Sequence, residues 1–209
     1  MLKEWRPLLI SDAISIYPIS SKPFGLTYAE WSIKWWQWLL SIPKPNNPAY
    51  DSSGLYASVS QSDPNVFFLC QTIEGVDLIP SRTTSVPAGQ AIFMPVINWI
   101  STMDIDGKNE LQLLSVAKEK MDVISDLEIV VNEAKIKEPM NHYRAHSSLF
   151  LAELPDNNIL CLSPGKRQFV SDGYWICFQP RTKNIKISSF GSCSAGITKI
   201  GINYNLYIK

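Results

Sequence analysis

A chain of 209 residues, 45% apolar and only 18% charged, has the material for a sizeable core, which excludes an intrinsically disordered protein. Nineteen basic residues balance nineteen acidic ones, and the densest basic stretch, Arg181 with Lys183 and Lys186, is too thin for the stripe of a nucleic-acid binder. No run approaches the roughly 20 apolar residues that span a bilayer, and the opening segment lacks a signal-peptide core, so no membrane span is expected and the expected compartment is cytoplasmic.

Residues 1–24 read as an N-terminal extension, and the first defined element is a tryptophan-rich helix over 27–42. Thr27 and Glu30 form a Thr-x-x-Glu capping box, in which each side chain accepts from an amide that the first turn leaves unpaired. Tyr28, Trp31, Trp35, Trp38, Leu39 and Ile42 recur at helical spacing, while Trp36 and Leu40 lie off that stripe and widen the apolar face. Such a helix suits packing onto a sheet. A lipid-surface helix would carry a basic face, and Lys34 is its only cation. Pro43 stops the helix, and Pro45 and Pro48 stiffen the loop after it.

From residue 55 the apolar period changes to two. Val66–Cys70 reads as a buried strand, Pro87–Gly89 as a turn, and Gln90–Trp99 as a second apolar strand. Pro95 inside that strand has no N–H to give a ladder, so it requires a sheet edge or a bulge. Residues 109–124 read as a second helix, capped by Asp106 or Asn109, with Leu111, Leu114, Ala117, Met121 and Ile124 on one face. Leu127–Val131 and Ala134–Lys137 flank a hairpin turn at Asn132-Glu133. Arg144–Leu154, Gly173–Gln179 and Ile185–Phe190 are further strands. In the last one Ile200, Ile202, Tyr204, Leu206 and Ile208 alternate with Gly201, Asn203, Asn205 and Tyr207, which gives one buried face. The expected fold is mainly β: a β-sandwich or jelly-roll-like single domain over 1–209, its sheets in 55–209, with the N-terminal Trp-rich helix and one inserted helix.

Familiar catalytic signatures are missing. His142 and His146, the only histidines, fall in a segment read as strand, where positions four apart lie about 13 Å from each other and cannot share a metal. Asp104 and Asp106 suggest part of a calcium loop, but Leu113 stands where the closing carboxylate would be, so they read as turn and cap residues. No metal site and no cofactor is expected. Gly-x-Ser-x-Gly and phosphate-cradling glycine loops are absent, and Asp51, Glu74, Asp77 and Glu153 cannot be paired by spacing alone. No two of the four cysteines form Cys-x-x-Cys. Cys70 and Cys177 read as small buried hydrophobes, and Cys193, in the Gly191–Gly196 loop, as the exposed thiol.

Several blocks together resemble a family of bacterial and archaeal proteins with no known activity. They are Gly25–Trp31, Trp35–Leu39, Ser41–Pro43, Asn47-Pro48, Asp51 with Gly54, Gln61, Pro87–Gly89, Phe93–Pro95 with Asn98, Tyr143-Arg144 and Ser171–Trp175. The resemblance spans roughly residues 24 to 208 and implies one domain. It also implies that relatives are often exported and carry a cysteine pair at the positions of Ala57 and Thr84. This chain has neither cysteine, in keeping with a reducing compartment.

Function is expected to be non-enzymatic: binding of a small ligand, glycan or protein partner through an aromatic surface near Trp31, Trp35, Tyr174 and Trp175. Arg144 would face an anionic or sugar-binding cleft there, or else form structural ion pairs. The alternatives are a hydrolase or lyase on the same scaffold and a self-assembling structural protein, the latter implying a homo-oligomer.

Overall fold

The computed structural model describes residues 15–72, 79–136, 140–193 and 199–209. Most of the N-terminal extension, Glu74, Asp77, Lys137 and the end of the Gly191–Gly196 loop lie outside the described residues.

The tryptophan helix, α1 (Tyr28–Leu40), starts as its capping box requires. Glu30 N–H donates to Thr27 Oγ1 at 3.2 Å and Thr27 N–H donates to Glu30 Oε2 at 2.7 Å. These bonds from Thr27 hold the Glu30 carboxyl below its ordinary range. Thr27→Ala is expected to cost about 1 kcal/mol in denaturant unfolding, with no change in the spectrum of the folded state. Trp31, Trp35 and Trp38 are buried, and their indole N–H groups reach the backbone carbonyls of Pro23, Leu69 and Val59 at 2.8–2.9 Å. Each thus adds apolar area to the core without leaving its polar end unpaired.

Two five-stranded sheets follow. The first runs β1 (Val66–Phe68), β3 (Ala91–Thr102), β8 (Gly165–Phe178), β6 (Arg144–His146), with β7 (Phe150–Leu154) also paired to β8. The second runs β2 (Ser81–Val86), β10 (Lys199–Ile208), β9 (Ile185–Cys193), β4 (Ile124–Val131), β5 (Ala134–Lys135). β1–β3 and β2–β10 are parallel pairs, and the other pairs are antiparallel. Ile202, Tyr204 and Leu206 are buried on one face of β10, as the alternation requires. Asn132 and Glu133 both take positive φ, 48° and 69°, the geometry of a tight two-residue hairpin. Ser15–Tyr17, within the extension, joins the far end of β8, with Tyr17 N–H donating to Cys177 O at 2.9 Å.

Two sequence expectations are corrected in detail. The second helix, α2 (Glu110–Asp122), is capped by Asn109, but its buried residues are Leu113, Ala117 and Met121. Leu111 is 79% exposed. The packed stripe follows a single i, i+4, i+8 row, and Leu111 and Leu114 flank it. The Arg144–Leu154 stretch is two strands, because Ser147 interrupts the ladder: its Oγ accepts from Ser171 N–H at 2.9 Å in place of a backbone carbonyl. Arg82 lies within a strand, with its side chain buried against Tyr204 and the Cys70 carbonyl.

Pro95 sits at a bulge. β3 pairs with β1 over Ala91–Phe93 and with β8 along its length, and its register with β8 shifts between Pro95 and Ile97. Two close approaches fix the strands around this bulge. Gly173 pairs with Asn98, where an added Cβ would lie 2.6 Å from Asn98 Cβ. Gly191 of β9 brings the second sheet against β3, where a Cβ would lie 3.1 Å from Ile97 Cβ. One buried apolar cluster runs through α1, both sheets and Met121 of α2. Among the described residues no helix is long and apolar enough to cross a membrane.

Candidate functional site

All five expected site residues belong to the interior or to ion pairs. Trp175 is wholly buried, stacked on Phe93 at 5.3 Å, with its indole N–H donating to Ala145 O at 3.2 Å. Trp31 packs edge-on to Phe68. Tyr174 is buried beside the Arg144 guanidinium, 5.8 Å from its ring. Arg144 Nε and Nη2 bind Asp172 Oδ2 at 3.0 and 2.6 Å, and Nη1 binds Asp122 Oδ1 at 2.6 Å. Those bonds raise the guanidinium pKa further against the opposing effect of burial. Arg144 is therefore occupied by carboxylates of this chain.

The fifth, Trp35, stands in the wall of a cleft of about 290 Å³ that the other four do not line. The cleft lies where the C-terminal half of α1 passes the bulge of β3. Trp35 and Trp36 make a corner, their rings 4.9 Å apart and 85° to one another. Pro95, Ile97, Asn98, Trp99 and Ile100 form the strand side, and Gln71, Thr72, Leu160 and Ile200 complete the wall with Leu39 and Ala49. Two buried asparagines shape the loops that reach it. Asn47 Nδ2 donates to the carbonyls of Leu39 and Ile42 at 2.8 and 2.9 Å, closing the end of α1 and placing Ala49. Asn158 Nδ2 donates to Leu162 O at 2.7 Å and holds the turn carrying Leu160.

Polar groups in this wall are oddly unsatisfied. Of ten buried side-chain N or O atoms without a partner among the described residues, four belong to it: Trp36 Nε1, Gln71 Oε1, Thr72 Oγ1 and Asn98 Nδ2. Each is itself closed to water. For Gln71 the orientation has a clear cause. Its Nε2 donates to the carbonyls of Pro95 (3.2 Å) and Val96 and lies 3.0 Å from Ser189 Oγ. Carbonyls only accept, so the amide must turn its nitrogen to the bulge, and its oxygen is left without a donor. An unsatisfied buried polar atom costs about 1–3 kcal/mol, and native proteins keep few of them.

The wall's described residues include no Asp, Glu, His, Cys, Lys or Arg. His142 and His146 are exposed, and no group of three metal-ligating side chains occurs among the described residues. Asp104 and Asp106 are turn residues, and Asp106 Oδ2 accepts from Thr102 N–H at 2.7 Å. The cysteine reading needs one correction. Cys161 is the exposed thiol, while Cys193 is half-buried at the end of β9. Burial pushes the Cys177 thiol up to about 12 and also raises that of Cys70. At pH 8 the Cys177 thiolate is then about one part in ten thousand. Brief alkylation of the native protein is expected to label Cys161 first and to spare Cys70 and Cys177 until unfolding, which peptide mass spectrometry reads directly.

Trp36, Gln71, Thr72 and Asn98 were not singled out as site residues by the sequence. The one signal that pointed to the place was Pro95, since bulges concentrate beside functional sites.

No protein-family model and no curated protein matches the chain. Among solved structures it is similar to a chain from the structure of PbICP-C in complex with falcipain-2, with 6% identity, 69% of this chain and 99% of that one covered, and a TM-score of 0.28. It is also similar to the solution structure of Amebosin, with 10% identity, the same two coverages, and a TM-score of 0.21. Likenesses at these scores carry no argument about fold or function. The resemblance to the bacterial and archaeal family rests on the quoted blocks of sequence.

Proposed function

We propose that the chain is a single-domain β-sandwich that binds a small molecule in the tryptophan-walled cleft and does no chemistry on it. The parallel edge pairs favour a sandwich of mixed sheets over an antiparallel jelly roll. What supports the binding reading is the set of four unpaired polar atoms in the wall of one largely apolar cleft, the usual make-up of a small-molecule site. A ligand seated there can pair with them after small rotations of the indole and amides. Acid–base or nucleophilic catalysis needs a titratable or nucleophilic side chain at the reacting atom. The described wall offers only the Thr72 hydroxyl, with no base beside it among the described residues, so the hydrolase or lyase alternative gains no support.

A site kept for a ligand is less stable than it would be without that function. Thr72→Val and Asn98→Leu replace unpaired polar atoms with apolar groups of similar shape. The double variant is expected to be more stable than the natural protein by about 1–3 kcal/mol. It should also lose binding to fragments that ligand-observed NMR detects on the natural protein. A loss of stability of that size would mean that the protein already satisfies these groups, and the reading would be withdrawn.

A further inference from the structure

The same cleft specifies more than that it binds, and this step rests on the binding reading above. Its volume of about 290 Å³ is about twice the roughly 150 Å³ cavity that accepts a benzene and sits at the bottom of the range for drug-sized ligands. One or two fused rings fit. No charged side chain lines the described wall, and the Lys120 ammonium, 5.1 Å from the Trp99 ring, is not part of it, so an ion entering would lose its hydration with no counter-charge in the described wall to replace it. A sugar would bring a hydroxyl on nearly every carbon to a wall with few polar partners.

Three tryptophans, Trp35, Trp36 and Trp99, stand in that wall. The perpendicular pair Trp35 and Trp36 lets a flat ring stack on one indole and meet the other edge to face, the two arrangements aromatic rings prefer. The unpaired atoms then set the polarity. Trp36 Nε1–H and Asn98 Nδ2–H can only donate and Gln71 Oε1 can only accept, and each meets a ligand after the small side-chain rotation that opens it to the cleft. We infer that the cleft takes an uncharged, planar one- or two-ring heteroaromatic that carries both a hydrogen-bond acceptor and an N–H or O–H donor, as a ring lactam does.

Titration calorimetry on the full chain tests this with four probes: 2-quinolinone, its N-methyl derivative, quinoline-2-carboxylate and glucose. 2-Quinolinone should bind, and the Thr72→Val/Asn98→Leu variant should bind it more weakly. Methylating the nitrogen leaves Gln71 Oε1 without its donor, and the carboxylate brings an unpaired charge, so each should weaken binding by about tenfold or more. Glucose should not bind. If the carboxylate, the N-methyl compound or glucose binds as well as 2-quinolinone and the double variant abolishes that binding, the ligand class is wrong while the cleft remains a site. If no probe gives heat that depends on Thr72 and Asn98, the class falls together with the reading it rests on.

Discussion

Replacing Arg144 with alanine is expected to destabilise the protein by about 3–5 kcal/mol, because it strands a buried carboxylate. The Asp172 side chain is 1% exposed, and two guanidinium nitrogens bind one of its oxygens while Gly173 N–H donates to the other at 2.8 Å. The same guanidinium reaches α2, where Nη1 meets Asp122 and Nη2 donates to Lys118 O at 3.2 Å, placing a cation at the negative end of the helix. Arg144 thus fastens β8 to α2. The two carboxylates should not count equally. Asp122 is largely exposed, and Asp122→Asn should cost less than about 1 kcal/mol. Arg144→Ala combined with Asp172→Asn should regain much of the single variant's loss, since no buried charge is left alone. Urea unfolding of the three variants separates these cases, and an Arg144→Ala cost under about 1 kcal/mol would mean that water replaces the guanidinium.

Trp175→Ala should cost a similar amount, about 3–5 kcal/mol, for a different reason. This indole is fully enclosed, stacked at 16° on Phe93 and edge-on to Trp35 at 5.3 Å. Its removal leaves a large void in the aromatic centre and takes the indole donor from the Ala145 carbonyl. At roughly 2–4 °C per kcal/mol for a chain of this size, the midpoint of thermal unfolding should fall by about 10 °C. Trp175→Phe keeps half the stack and should cost less. Because Trp35 leans on Trp175, either variant should also loosen the cleft corner. That is visible as weaker 2-quinolinone binding at a temperature where the variant is still folded.

Local rules carried much of the fold. The Thr27–Glu30 box, the Asn132-Glu133 hairpin and the alternation through Tyr204 depend on neighbours within a few residues, and all three stand in the structure. What required the third dimension was orientation. The spacing of α2 permitted more than one stripe, and only its contact with the sheet selects Leu113, Ala117 and Met121. Trp31 and Trp175 read as aromatic display because abundance of tryptophan does not reveal burial, whereas the carbonyls that receive their N–H groups lie 8 and 30 residues away in sequence. The cleft was the least legible part. Gln71 or Asn98 is an ordinary polar residue until one knows which of its atoms the fold leaves unpaired, and that is decided by groups such as Ser189, 118 positions along the chain. Trp36, set aside as lying off the stripe, is the tryptophan of α1 whose N–H has no partner among the described residues.

That indole N–H offers the most direct measurement. In a ¹⁵N-labelled sample the side-chain signals of Trp31, Trp35, Trp38 and Trp175 report hydrogen bonds to carbonyls, and Trp36→Phe assigns the Trp36 signal among the other three of the seven tryptophans by its disappearance. The Trp36 proton should resonate upfield of those four in the ligand-free protein and move downfield as 2-quinolinone is added. A Trp36 signal already among the hydrogen-bonded ones, and unmoved by the ligand, would contradict the cleft as a binding site.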